Sequence, residues 1–212
     1  MADNQTEALS GPTPWQTVGP FFHYALPWHG CADLTGTSGI GARPELMAAA
    51  HERLYRAPGK AVPVGEKIAI AGRVLDGDGN GVPDALLEIW QADAAGRYGA
   101  PEGANQSFCG FGRCATAEDG SYRFLTIKPG AVVAPDGAVG APHIAVGVLG
   151  RGILKRLVTR LYFEDEAANE RDAVLALVPV ERRATLLARR DGDGYRFDIR
   201  LQGAGEAVFF QC

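Results

Sequence analysis

The chain contains no run approaching the roughly 20 uncharged apolar residues needed to cross a bilayer, so a helical membrane span is not expected. Its opening, MADNQTEALSGPTPW, lacks a basic region leading into an apolar stretch, so no secretory signal is expected and the expected location is cytoplasmic. No charge of one sign dominates. The net charge is −4, with acids and bases interspersed, which argues against a nucleic-acid surface. Cysteine is scarce, at four residues: Cys31, Cys109, Cys114 and Cys212. Cys109 and Cys114 do not have zinc-ligand spacing, and no histidine pair completes a tetrahedral set, so reduced and unligated thiols are expected. There is no internal repeat and no evident linker. At 212 residues the chain suits one well-buried core and is short for two.

Glycine and proline are present in quantity, at 28 and 13 residues, a turn-rich composition that suits many short strands. Residues 1–45 combine Pro, Gly and polar residues with Trp15, Phe21, Phe22, Tyr24 and Trp28. Such a segment builds no core of its own, yet its aromatics are costly to leave in water, so an arm lying against another surface is expected. Glu45 to Tyr55 has near-helical spacing of Leu46, Ala49, Ala50 and Leu54. From 46 to 212 a single domain is expected. Strand alternation starts at Glu66, with Ile68, Ile70, Gly72 and Val74 on one face, and returns at 85–91, 122–127, 143–149, 155–163 and 195–201. Asp191-Gly192-Asp193-Gly194 predicts a hairpin before the last of these. Glu164 to Leu177, with acids in its first turn, predicts a helix. The fold class that follows is mainly β: an antiparallel β-sandwich or partly closed barrel with a few short helices.

Two motifs fail on inspection. Asp76-Gly77-Asp78-Gly79-Asn80-Gly81 begins like an EF-hand loop, but the twelfth position is Leu87 rather than a bidentate Glu, and the flanks read as strands. A Gly-rich turn is expected instead. Gly110-x-Gly112-x-x-Ala115 resembles a dinucleotide fingerprint without its preceding strand, following helix or downstream acid.

A longer pattern is more specific. From Gly72 the chain reads GRVLDGDGNGVPDALLEIWQADAAGRY, then FGRCATAEDGSYRFLTIKPG, APHIAVGVLGRGI and KRLVTRLYFEDE. It resembles the core of the intradiol ring-cleavage dioxygenases, in which two tyrosines and two histidines hold a non-haem Fe(III). Tyr98 fills the first tyrosine position and His143 the first histidine position. Where the second tyrosine is expected, after Lys128-Pro129-Gly130, stand Ala131, Val132 and Val133; where the second histidine is expected stands Ala145. One phenolate and one imidazole are too few protein ligands to retain a hard ferric ion firmly. Asp136 lies near the lost tyrosine, but nothing marks it as a replacement.

Further segments, Thr13 to Phe22, Ala141-Pro142-His143, Gly150-Arg151-Gly152-Ile153, Leu161 to Glu166 and Gly205 to Phe210, are similar to the iron-free alpha chain of the two-chain members of that family. Trp15 and Phe21 depart from the usual opening. The resemblance implies an αβ protomer in which a beta chain binds the Fe(III) and this chain binds none. It implies that Thr17, Gly19 and Pro20 line the pocket entrance and that Arg151 supplies positive charge beside it, while Tyr98 and His143 are remnant ligand positions. The implied reaction is cleavage of protocatechuate by O2 to 3-carboxy-cis,cis-muconate, and the aromatics Trp15, Phe21 and Phe22 are expected at the beta-chain interface. Two other expectations compete. One is a self-sufficient enzyme with a rebuilt metal site; the other is a β-sandwich binding module without chemistry.

Overall fold

Alternation of apolar and polar residues builds the first strand, β1 (Lys67–Leu75), which places Ile68, Ile70 and Val74 in the core with Gly72 between them. The computed structural model describes residues 16–22, 32–36, 63–99, 108, 110–134 and 137–211. The expected helix at 45–55, together with Trp15, Tyr24, Trp28, Cys31, Cys109, Asp136 and Cys212, lies outside these. After β1 come β2 (Leu86–Gln91), β3 (Phe111–Ala115), β4 (Ser121–Ile127), β5 (Val132–Val133) and β6 (Val139–Gly140). Then follow β7 (His143–Leu149), β8 (Leu157–Phe163), β9 (Leu187–Asp191), β10 (Gly194–Arg196) and β11 (Ile199–Arg200).

The main sheet runs β3-β2-β7-β8-β9-β10-β1, with β11 continuing β10 along β1 and β4 pairing with the far edge of β1. Its end strands β3 and β4 approach each other, so the sheet curls into a nearly closed barrel. The fold is thus mainly β, as the alternation indicates. Most junctions are antiparallel; β1–β10, β1–β11 and β8–β9 are parallel. β5 and β6 form a separate hairpin.

Ile70, Leu87, Phe124, Ile127, Ile144, Leu161, Phe163 and Ile199 fill the barrel. Each such side chain contributes about 1.5–3 kcal/mol by leaving water. Gly72 is needed where it sits, opposite Tyr122 of β4, because a Cβ there would run into the Phe197 carbonyl. That carbonyl accepts the Tyr122 hydroxyl proton instead. A second, smaller cluster of Ala141, Tyr162, Leu175, Val178 and Leu186 packs outside the barrel.

Three segments differ from their sequence-based expectation. The helix expected over 164–177 is a 3-10 turn at Ala167–Arg171 and then a single turn, α1 (Ala173–Ala176). Asp172 breaks it, because its backbone is extended (φ −71, ψ 121) and its carboxylate caps α1 at Val174 N and Leu175 N. A second short helix, α2 (Val180–Arg183), follows. The strand expected over 195–201 is interrupted between β10 and β11, although both parts follow β1. The glycines of 110–115, which conceal a strand, belong to β3 and its approach, so no dinucleotide turn exists there. In the 76–81 turn, Asp76 spends its oxygens on Asp78 N, Asn80 N and the Asn80 amide, which is turn chemistry rather than cation chemistry.

Candidate functional site

Tyr98 and His143, well separated along the chain, line one cavity of about 290 Å³ on the outer side of the barrel. The walls come from four places: the turn after β2, the β5–β6 hairpin, strands β7 and β8, and the start of α1. Asp93 fixes the turn that presents Tyr98. Its Oδ1 accepts from Ala95 N and Arg97 N at 2.9 and 3.0 Å, and its Oδ2 pairs with Arg97 at 2.9 Å. Gly96 in that turn has φ of 77°, and a Cβ there would collide with the Ala131 carbonyl, so the turn and the 130–133 segment are locked together. Val132, in the segment where a second tyrosine was expected, lines the same cavity. The Tyr98 ring stacks on Trp90, with centroids 6.0 Å apart and planes 13° from parallel.

His143 is 7% exposed, and its Nδ1 lies 2.8 Å from the Ala141 carbonyl. A carbonyl only accepts, so Nδ1 carries the hydrogen and a neutral ring offers Nε2 as an acceptor. Burial pulls the His143 pKa down, against the Ala141 hydrogen bond, and Arg160 adds to the downward pull. Burial raises the Tyr98 pKa, with Arg160 opposing it. Ala145 leaves space on β7 where a second histidine was expected, and its cross-strand partner on β8 is Arg160, another wall residue. The hollow therefore has a guanidinium near the lost histidine position.

Asp172 is the wall's other charged group, and both its oxygens accept hydrogen bonds. Oδ1 accepts from Val174 N, Leu175 N and the Tyr162 hydroxyl at 3.0, 2.8 and 3.0 Å; Oδ2 accepts from Ala141 N at 2.9 Å. Burial opposes its charge, but these donors outweigh it and hold the carboxyl below its usual range. Tyr162, whose hydroxyl it takes up, is pushed up to about 12, chiefly by burial.

These walls do not fit a resident ferric ion. Val132 brings no donor atom, both Asp172 oxygens already accept hydrogen bonds, and Arg160 repels a cation. Among the described residues no group of three or more His, Cys, Asp or Glu is placed to hold a metal.

The expected pocket residues lie elsewhere. Thr17, Gly19, Pro20 and Arg151 are all exposed, and none lines the cavity. Two of these segments are joined directly, because Gly152 N donates to Thr17 Oγ1 at 2.7 Å. This hydrogen bond ties the 16–22 segment to the β7–β8 turn carrying Arg151. Arg151 Nε stands 3.0 Å from Asp84 Oδ2, in an ion pair whose Arg side chain is 60% exposed and whose Asp side chain is 10% exposed. The angle is poor for a hydrogen bond, and Asp84 Oδ2 has no hydrogen-bond partner among the described residues. Phe21 and Leu154, both exposed, lie on the two joined segments.

Sequence reasoning missed Asp84, Arg160 and Asp172. Asp172 carried a usable signal, an acid immediately before an Ala-Val-Leu-Ala run. Arg160 and Asp84 carried none, since their roles depend on cross-strand register and on a contact between distant turns.

A family described as "Dioxygenase" matches residues 43–203. The protocatechuate 3,4-dioxygenase alpha chain of Burkholderia cepacia is 45% identical over 208 residues, covering 93% of this chain and 96% of that one. The beta chain from the same organism is 40% identical over 172 residues, covering 72% of each. Among solved structures, the dioxygenase domain of a dioxygenase–carbohydrate-binding protein fusion from Streptomyces sp. SirexAA-E superposes with a TM-score of 0.55 at 27% identity. That match covers 91% of this chain and 99% of the other. No helix among the described residues is long and apolar enough to cross a membrane. With the family match over most of the chain and the alpha-chain similarity along its length, the chain belongs to the intradiol dioxygenase family, a family of non-haem iron enzymes, and stands with its protocatechuate 3,4-dioxygenase alpha chains.

Proposed function

We propose that this chain is the iron-free subunit of a two-chain protocatechuate 3,4-dioxygenase, completing a pocket whose Fe(III) is held by a beta chain. The observation that carries this reading is the Gly152–Thr17 hydrogen bond. It gathers the arm and the arginine turn into one exposed patch, separate from the chain's own iron-poor cavity. Residues 1–45 act as an arm toward the partner, and 46–212 as the supporting domain. Phe21, 74% exposed, and the half-buried Phe22 supply the apolar surface that a stable interface buries.

Within the assembled pocket, the division of labour follows from chemistry. The ferric ion of the beta chain supplies the oxygen chemistry. This chain supplies shape and charge. Gly19-Pro20 gives close approach followed by a stiff turn. Arg151 keeps its charge when water is excluded, so it suits the carboxylate of protocatechuate. Asp84 stands beside Nε, and the Arg151 side chain is 60% exposed. The chain acts in the cytoplasm, with protocatechuate and O2 as substrates.

Co-expression tests the proposal. The beta chain is produced with and without this chain, and O2 uptake on protocatechuate is followed. Activity is expected only from the co-purifying pair; a beta chain equally active alone, or failure of the two to associate, contradicts it.

A further inference from the structure

We propose that the cavity between Tyr98, His143 and Arg160 is a binding site for a small hydroxylated aromatic carboxylate, with the carboxylate on Arg160 and the ring hydroxyl on His143 Nε2. The first support is an uncommitted charge. Arg160 lines the hollow, and its Nη1 donates one long hydrogen bond, 3.3 Å, to the Tyr162 hydroxyl. Among the described residues no carboxylate lies within ion-pair distance of it, and Asp172, the acid on the same wall, gives its oxygens to four other donors. A guanidinium beside apolar walls is stabilised by an anion that accepts its hydrogen bonds in parallel.

The second support is an uncommitted acceptor. With Nδ1–H given to the Ala141 carbonyl, the His143 ring presents Nε2, which accepts a hydrogen bond from a hydroxyl and repels a second carboxylate. The third is the shape and lining. Val132, Val139 and Val174 make apolar walls, and Tyr98 is fixed by its stack on Trp90. An apolar cavity of about 150 Å³ is enough to hold benzene. The cavity here, about 290 Å³, therefore has room for one ring with a carboxylate and a hydroxyl. Arg160 sits across β7–β8 from Ala145, on the same face of the sheet as His143. The site lies wholly within this chain and needs neither the partner nor its iron, so failure of this inference leaves the subunit reading untouched.

Isothermal titration of the full chain, purified alone, uses 4-hydroxybenzoate as the probe. Saturable one-to-one binding is expected. Removing the carboxylate, with 4-methylphenol, weakens it at least tenfold; removing the hydroxyl, with benzoate, weakens it several-fold. Arg160→Met weakens it at least tenfold, and Arg160→Lys retains part of the affinity. If Arg160→Met fails to fold, the comparison of 4-hydroxybenzoate with 4-methylphenol on the unaltered chain decides. No saturable binding, equal affinity for 4-methylphenol, or a folded Arg160→Met variant that binds as tightly overturns the inference.

Discussion

Replacing Asp172 by Asn removes one charge and one acceptor from the junction between the barrel and its outer cluster. Asp172 is 2% exposed, and its two oxygens satisfy three backbone N–H groups and the Tyr162 hydroxyl. An Asn side chain can keep its oxygen toward Val174, Leu175 and Tyr162. Its NH2 then faces Ala141 N–H, donor against donor. A hydrogen bond to a charged group contributes about 1.5–3 kcal/mol, and the remaining three lose their charge assistance. The expected loss is about 3 kcal/mol, which for a domain of this size lowers the melting temperature by about 6–12 °C. Acid titration gives a second signature. The native Asp172 pKa lies below its usual value, so on acidification the unfolded chain takes up the proton first. The stabilisation is complete above the unfolded pKa of about 3.9 and is lost as pH falls through the native value. Urea denaturation from pH 7 down to pH 3 should show Asp172→Asn less stable at neutrality and with a shallower acid slope. A loss below about 1 kcal/mol, or an unchanged slope, refutes the assignment of Asp172 as the anchor of this junction.

Other perturbations separate structure from function. In the assembled enzyme, Arg151→Ala is expected to raise KM for protocatechuate about tenfold, the loss of roughly 1.4 kcal/mol of binding. Asp84→Asn is expected to give a smaller rise in the same direction. Arg151→Ala should alter folding stability by no more than about 1 kcal/mol, since the Arg151 side chain is 60% exposed; steady-state kinetics beside thermal unfolding reads both. Gly96→Ala forces a side chain into a left-handed turn and against the Ala131 carbonyl, and should cost at least about 1–3 kcal/mol by denaturant unfolding. Tyr122→Phe leaves the buried Phe197 carbonyl without its donor and should cost about 1–3 kcal/mol in the same assay.

The barrel was legible where alternation is clean. Ile68, Ile70 and Val74 of β1 and Ile144, Val146 and Val148 of β7 point inward as their spacing requires. The Asp191–Gly194 turn joins β9 to β10 as its sequence indicates. Period-two reasoning failed at β3, where Gly112 weakens the pattern, and at Asp172, where an N-cap ends one helical segment and starts another. The parallel pairings of β1 with β10 and β11 arise from chain return over more than a hundred residues, which no local signal encodes. The candidate site was half legible. Tyr98 and His143 do meet on one cavity, but Arg160 joins them only through its register opposite Ala145. The link between Thr17 and Gly152 is likewise a contact between segments far apart in the chain.

Iron content and visible absorbance, measured on this chain purified alone and on the chain purified with its beta partner, test the central claim most directly. The account predicts a colourless, iron-poor and inactive chain alone, with ferric-tyrosinate colour and turnover only in the pair. Stoichiometric iron, colour and protocatechuate cleavage from the isolated chain would contradict it.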